Sequence, residues 1–173
     1  MQLRPIDGPQ LLQLVAGWLA SKETSQWLEF GDGAQIITPM VLKVMTQRPT
    51  NFLRVFTADD DALPIGVVGL NNVNRHFRTA TLWAALGDAR YGAQRYTTRA
   101  CSRILTMGFT ELGLHAINTW VVDTHTPSFR IVERLRFRFV GRQRQCHWVD
   151  GQPYDRLWFD LLASEHTSGD AEG

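Results

Sequence analysis

The stretch "DARYGAQRYTTRA", Asp88 to Ala100, sets Gly92 among Arg90, Arg95 and Arg99 at a strand-to-helix junction. The apolar "TATLWAALG" before it reads as a strand and "CSRILTMGFTELG" after it as a helix. A helix start leaves several backbone N–H groups unpaired and carries a partial positive charge. A glycine there lets an anion approach the backbone, so the junction suits a phosphate. The expected cradle is Gly92, Ala93, Gln94, Arg95, Tyr96, Thr97 and Thr98, with Arg90, Arg95 and Arg99 at its rim and two threonine hydroxyls as donors. A plain turn explains a loop with a single glycine equally well. G-x-G-x-x-G and the P-loop G-K-S/T are both absent, which removes the common dinucleotide and nucleoside-triphosphate fingerprints.

The surrounding elements must position that loop. "LRPI" reads as a short strand and "GPQLLQLVAGWLAS" as an amphipathic helix with Pro9 in its first turn. A polar, aromatic loop, "KETSQWLEFGDGAQ", precedes a helix with Thr38 as cap and Pro39 at its first position. "NFLRVFTA", "LPIGVVGLNNV" and "FRTATLWAAL" are strand-like and suggest three antiparallel strands, the first two joined at the acidic "DDDA". In the long central helix, Ala100, Cys101, Ile104, Leu105, Gly108, Phe109 and Leu112 share one stripe, and Gly113 is placed to end it. A strand "HAINTWVVD", a helix capped by Thr126 with Pro127 at its first position, and two strands turning at "DGQP" complete the order. The fold class is α/β, a single domain over 1–163 with a mixed, mostly antiparallel sheet of about seven strands flanked by helices. Residues 164–173 form a tail expected to fray.

The 173 residues suit one domain, and 44% hydrophobic with 20% charged residues suits a real core. A net charge of +1 gives no global pull toward nucleic acid or anionic lipid. Cys101 and Cys146 are isolated, so neither a disulfide framework nor a metal site is expected, and a reducing cytoplasm fits. "LLQLVAGWLA" is too short to span a bilayer, and no membrane association is expected.

"LWAALGDARYGAQRYTTRACSRILTMGFTELGLHAINTWVVDTHTPSFRIVERLRF" resembles the core of the GNAT N-acetyltransferases, most closely the branch with the ribosomal-protein N-terminal acetyltransferases. The resemblance runs from Pro64 to Ala163. Members carry a Q/R-x-x-G-x-G/A loop before a helix, and later a segment near N-x-x-S-x-R-x-x-x-K-x-G-F. Here Ser128, Arg130, Glu133, Leu135 and Phe137 match, whereas Arg95 and Arg136 stand where glycines are usual and His125 where asparagine is usual.

The resemblance implies acetyl-CoA as co-substrate and direct attack of an amine on its thioester, which needs alignment, a neutral amine and oxyanion stabilisation. It implies that "LWAAL" docks the pantetheine arm as an added strand would, with the backbone at Ala85 and Leu86 near the thioester oxygen. It places Arg130 near the CoA phosphates. Ser128 becomes the candidate acid toward the leaving thiolate, although a serine in a first helical turn is ordinarily a helix-end residue. Val132 takes the position where some members have a tyrosine acid. Asp123, His125, His147 and Glu29 are the candidate bases, and a water chain would serve equally. Glu29 with Trp27 and Phe30, Asn71 with Asn72, and His147 are candidate acceptor contacts; a solvated carboxylate and ordinary turn residues are the plainer accounts for the first two groups. The acceptor is a small-molecule amine (amino sugar, amino acid, polyamine or antibiotic) or a protein N-terminus, and the protein a monomer or homodimer. Two rivals remain. The six arginines from Arg130 to Arg144, interleaved with phenylalanines, suit single-stranded nucleic acid, but alternate as a solvated sheet face does. The altered glycine and asparagine positions suit a degenerate domain that binds acyl-CoA or a partner without catalysis.

Overall fold

A computed structural model describes residues 1–30, 37–59 and 62–168. The chain runs β1 (Leu3–Arg4), α1 (Pro9–Ala20), α2 (Lys22–Ser25), α3 (Pro39–Gln47), β2 (Phe52–Thr57), β3 (Pro64–Asn74), β4 (Thr79–Leu86), α4 (Tyr96–Thr110), β5 (Ala116–Val122), α5 (Thr126–Arg134), β6 (Arg138–Val149) and β7 (Gln152–Leu162). The strands form one sheet in the order β1-β2-β3-β4-β5-β7-β6. All neighbours are antiparallel except β4 and β5. This is the α/β, mostly antiparallel sheet that the sequence predicts.

Local chemistry accounts for most boundaries. The Thr38 hydroxyl accepts from the Val41 amide at 3.2 Å and Pro39 opens α3. Asp150 and Gly151 have φ of 50° and 76°, the two positive values of a two-residue hairpin turn between β6 and β7. Gly113, at φ 64°, follows the end of α4. Two boundaries differ from expectation. α4 opens at Tyr96, inside the loop. α5 opens at Thr126 with His125, not Thr126, as its cap residue and Pro127 in the turn that follows. Of the acidic turn "DDDA", Asp60 and Asp61 lie outside the described residues, as do 31–36 and 169–173. The first part of the expected tail is held: His166 Nε2 meets the Thr106 hydroxyl at 2.8 Å, and Glu165 pairs with Arg138 at 2.7 Å.

The sheet divides the core in two. One cluster gathers α4 and α5 on Val68, Leu70, Leu82 and Ile117; the other gathers α1 and α3 on Leu53, Val55, Val67 and Ala85. Strand alternation sends Leu82 and Ala84 to the first and Trp83 and Ala85 to the second. β4 and β5 pair only over Thr79–Thr81 and Ala116–Asn118. Beyond that point β4 continues along β3 to Leu86, and β5 along β7 to Val122, so the two parallel strands diverge and leave a V-shaped opening in mid-sheet.

Candidate functional site

The opening leads into a cavity of about 790 Å³ that reaches both faces of the sheet. On the α4–α5 side its walls include Leu82, Ala84, Cys101, Ser128 and Val132; on the α3 side they include Asn71, Trp83, Met40 and Val44. The Gly87 amide donates to the Ile65 carbonyl at 2.8 Å, which fixes the phase of the β3–β4 ladder. In that phase Trp83 and Ala85 exchange backbone bonds with β3, whereas the N–H and C=O of Ala84 and Leu86 face the opening. The Thr119 hydroxyl donates to the Leu82 carbonyl at 2.9 Å, closing the vertex of the V. The expected pair Ala85 and Leu86 is therefore corrected to Ala84 and Leu86, since the Ala85 backbone is committed to Val67.

The loop after β4 delivers α4 to the same rim. Gly87 has no room for a side chain: a Cβ there would lie 2.1 Å from the Trp18 indole of α1. Asp88 starts a 3-10 turn, Ala89–Tyr91, by accepting from the Arg90 amide. Arg95 then caps α4 in the left-handed region, at φ 59°. That conformation favours glycine, which is why a glycine suits this position. The amides of Tyr96, Thr97 and Thr98 open the helix and have no acceptor within it. The side chains of this loop have partners of their own. The Arg90 guanidinium forks onto Asp88 at 2.7 and 3.0 Å, and Arg99 forks onto Asp59 at 2.8 and 2.9 Å, so both charges are engaged by carboxylates. Thr98 is only 3% exposed, so its hydroxyl lies in the core while its amide stays at the helix start. Gly92 has an ordinary helical φ of −59°, and the left-handed residue of this loop is Arg95.

At the first turn of α5, the His125 Nδ1 lies 2.8 Å from the Ser128 hydroxyl. The His125 ring stacks on Trp27 at 4.5 Å and 19°, and burial lowers its pKa below the ordinary imidazole value. Among the described residues, three hydroxyls line the cavity. Thr81 donates to Asn118 Oδ1 and Thr119 to the Leu82 carbonyl, whereas Ser128 is coupled to a titratable ring. Asp123 is exposed, at the end of β5 and outside the cavity lining, and its amide donates to the Asp155 carbonyl; the structure does not bring it to the site. Arg130 is exposed on α5, also outside the lining.

The opposite wall is built around Arg156, which the sequence reading passed over. Its guanidinium lies 4.0 Å over the Trp120 ring, donates to His147 Nδ1 at 3.0 and 3.2 Å, and pairs with Glu29. His147 Nε2 is 2.6 Å from the Gln26 carbonyl. Burial, the largest influence, lowers the His147 pKa, and its two nitrogens are then one donor to Gln26 and one acceptor from Arg156. With both nitrogens committed, His147 fixes Arg156 in place and is corrected as a base or acceptor contact. Glu29, Asn71 and Asn72 do line the cavity.

A family model described as "Acetyltransferase (GNAT) domain" matches residues 1–138. The chain belongs to the GNAT acetyltransferase family. Among curated GNAT-type relatives, an uncharacterized N-acetyltransferase p20 of Bacillus licheniformis is 25% identical over 133 residues, 77% of this chain and 74% of that one. A putative ribosomal N-acetyltransferase YdaF of Bacillus subtilis is 26% identical over 102 residues, covering 58% and 54%. In fold, the chain is similar to a spermidine N-acetyltransferase from Vibrio cholerae in complex with CoA and spermine, with a TM-score of 0.80 at 19% identity, covering 95% and 96%. It is likewise similar to Mycobacterium smegmatis RimJ in complex with CoA-disulfide, with a TM-score of 0.76 at 22% identity, covering 98% and 86%. As a GNAT protein it is an acyl-CoA N-acyltransferase that transfers an acetyl group to an amine. GNAT acetyltransferases use acetyl-CoA, and the diverging strands with free backbone beside an open helix start fit such a ligand. Among the described residues no helix is long and apolar enough to cross a membrane.

Proposed function

We propose that the chain acetylates a primary amine, of a small molecule or a protein N-terminus, with the acceptor entering from the α3 face and acetyl-CoA from the α4–α5 face. The observation that supports this most is the divergence of β4 from β5 after Thr81, which leaves the backbone of Ala84 and Leu86 facing a cavity open to both faces. The pantetheine arm extends the β4 edge as an added strand. The amides of Tyr96, Thr97 and Thr98 take the diphosphate. The backbone N–H at Ala84 stabilises charge on the thioester oxygen as the amine attacks.

Ser128 protonates the leaving sulfur. With its proton on Nδ1, the neutral His125 ring donates to the serine oxygen and leaves the serine proton free for the thiolate, and solvent then returns a proton to the serine oxygen. Trp27 shields that ring from water on one side. Glu29 is paired with Arg156 before an acceptor arrives, and a water chain removes the proton of the incoming amine. Steady-state thiol release with an amine panel, alongside calorimetric titration of acetyl-CoA, tests the reading. Acetyl-CoA binding without thiol release from any amine would instead favour a non-catalytic acyl-CoA-binding domain.

A further inference from the structure

The acceptor side of the cavity has a polarity of its own. Among the described residues, its charged lining consists of Glu29, Arg48 and Arg156, two guanidiniums against one carboxylate. Arg156 is immobilised by Trp120 beneath it and His147 beside it, and its side chain is 13% exposed. A stacked, pinned guanidinium is a ready-made fork for an oxyanion, because little side-chain freedom is left to lose. Glu29 already shows that a carboxylate fits against it, and Glu29 is 44% exposed. Two further polar atoms of the lining residues, Asn71 Oδ1 and Trp83 Nε1, are buried with no hydrogen-bond partner among the described residues. Both atoms are closed off from solvent, so they shape the wall without offering a ligand a hydrogen bond. The indoles of Trp27, Trp83, Trp120 and Trp158 join Phe30, Met40 and Val44 in the apolar part of the wall.

We infer that the acceptor is a carboxylate-bearing primary amine of amino-acid type with an aromatic or large apolar side chain, its carboxylate received by Arg156 in exchange for Glu29. This rests on the proposed acetyl transfer and narrows its substrate. Among the described residues, the additional cationic centres of a polyamine would face two guanidiniums and a single carboxylate that is already paired, a poor fit.

The test is calorimetric, with N-acetylphenylalanine, its carboxamide and N-acetylspermidine titrated into the protein with and without CoA. The acid should bind at least about tenfold more tightly than the carboxamide or the polyamine derivative. Arg156→Gln should bring acid and carboxamide within about twofold of each other, and Glu29→Gln, which releases the guanidinium, should tighten the acid severalfold. A carboxamide that binds as well as the acid, a tighter polyamine derivative, or no binding of the acid at millimolar concentration overturns the inference. The titrations without CoA keep the two readings apart. Failure of CoA to bind counts against acetyl transfer, while the acid-to-carboxamide ratio by itself decides the acceptor.

Discussion

Ser128 and His125 are separated by one helical turn and joined at 2.8 Å, and with the ring as donor this contact leaves the proton of an otherwise ordinary first-turn serine unengaged. If the serine acts at the leaving sulfur, Ser128→Ala should lower kcat by roughly 10²-fold while the acetyl-CoA dissociation constant stays within about twofold. Equal losses in both would make the serine a binding residue only. Arg136 is a second informative position. It sits at φ 58° after α5, where the Phe137 amide bonds the Val132 carbonyl and the Arg136 amide bonds that of Glu133, a helix ending that favours glycine. Arg136→Gly should therefore be more stable than Arg136→Ala by about 1 kcal/mol, reversing the usual helical order of the two residues. In a chain of this length that is about 2–4 °C between the two melting temperatures. The comparison cancels whatever the arginine side chain contributes, since both variants lack it.

The diverging strands and the start of α4 act as one element, because the loop that leaves β4 is the one that opens the helix. If the helix-opening amides hold the diphosphate, acetyl-pantetheine, which lacks it, should bind at least about 10²-fold more weakly than acetyl-CoA. Similar affinities for the two would locate recognition elsewhere. The loop also depends on Gly87, whose open Cα position is filled by the Trp18 indole. Gly87→Ala pushes a methyl group into the ring and should cost about 1–3 kcal/mol in denaturant unfolding. It should weaken CoA binding too, because α1 holds the loop by that contact. The helix-start pattern, the glycine and the basic residues of this loop were visible in the chain. Their pairing was not: Asp59 is 40 residues from Arg99 in sequence, and nothing local announces that it takes that charge.

At the scale of the whole molecule, one buried and one half-buried imidazole couple stability to pH. Burial lowers the folded-state pKa of both His125 and His147 below the ordinary 6.5. The unfolded chain therefore binds more protons as pH falls through that value, so stability is present above it and is lost toward the lower folded-state values. Melting temperature should fall between pH 7 and pH 5. His147→Gln, which can still accept from Arg156 and donate to Gln26, should flatten the fall. An unchanged slope would mean that His147 is not the titrating group.

The sequence by itself determined most of the element order, the turn at Asp150–Gly151, the cap at Thr38 and the strand alternation. All of these arise between residues a few positions apart, where periodicity and turn chemistry act directly. The resemblance to the GNAT acetyltransferases was also carried by local motifs. Only the tertiary structure decided that β4 parts from β5 after Thr81, that Ala84 rather than Ala85 faces the opening, and that Asp123 is left outside. It alone assembled Arg156 with Glu29, 127 residues away, and His147 with Gln26, 121 residues away. Such partners meet because packing two helical layers on a twisted sheet brings distant strands and loops together, and no spacing along the chain encodes that.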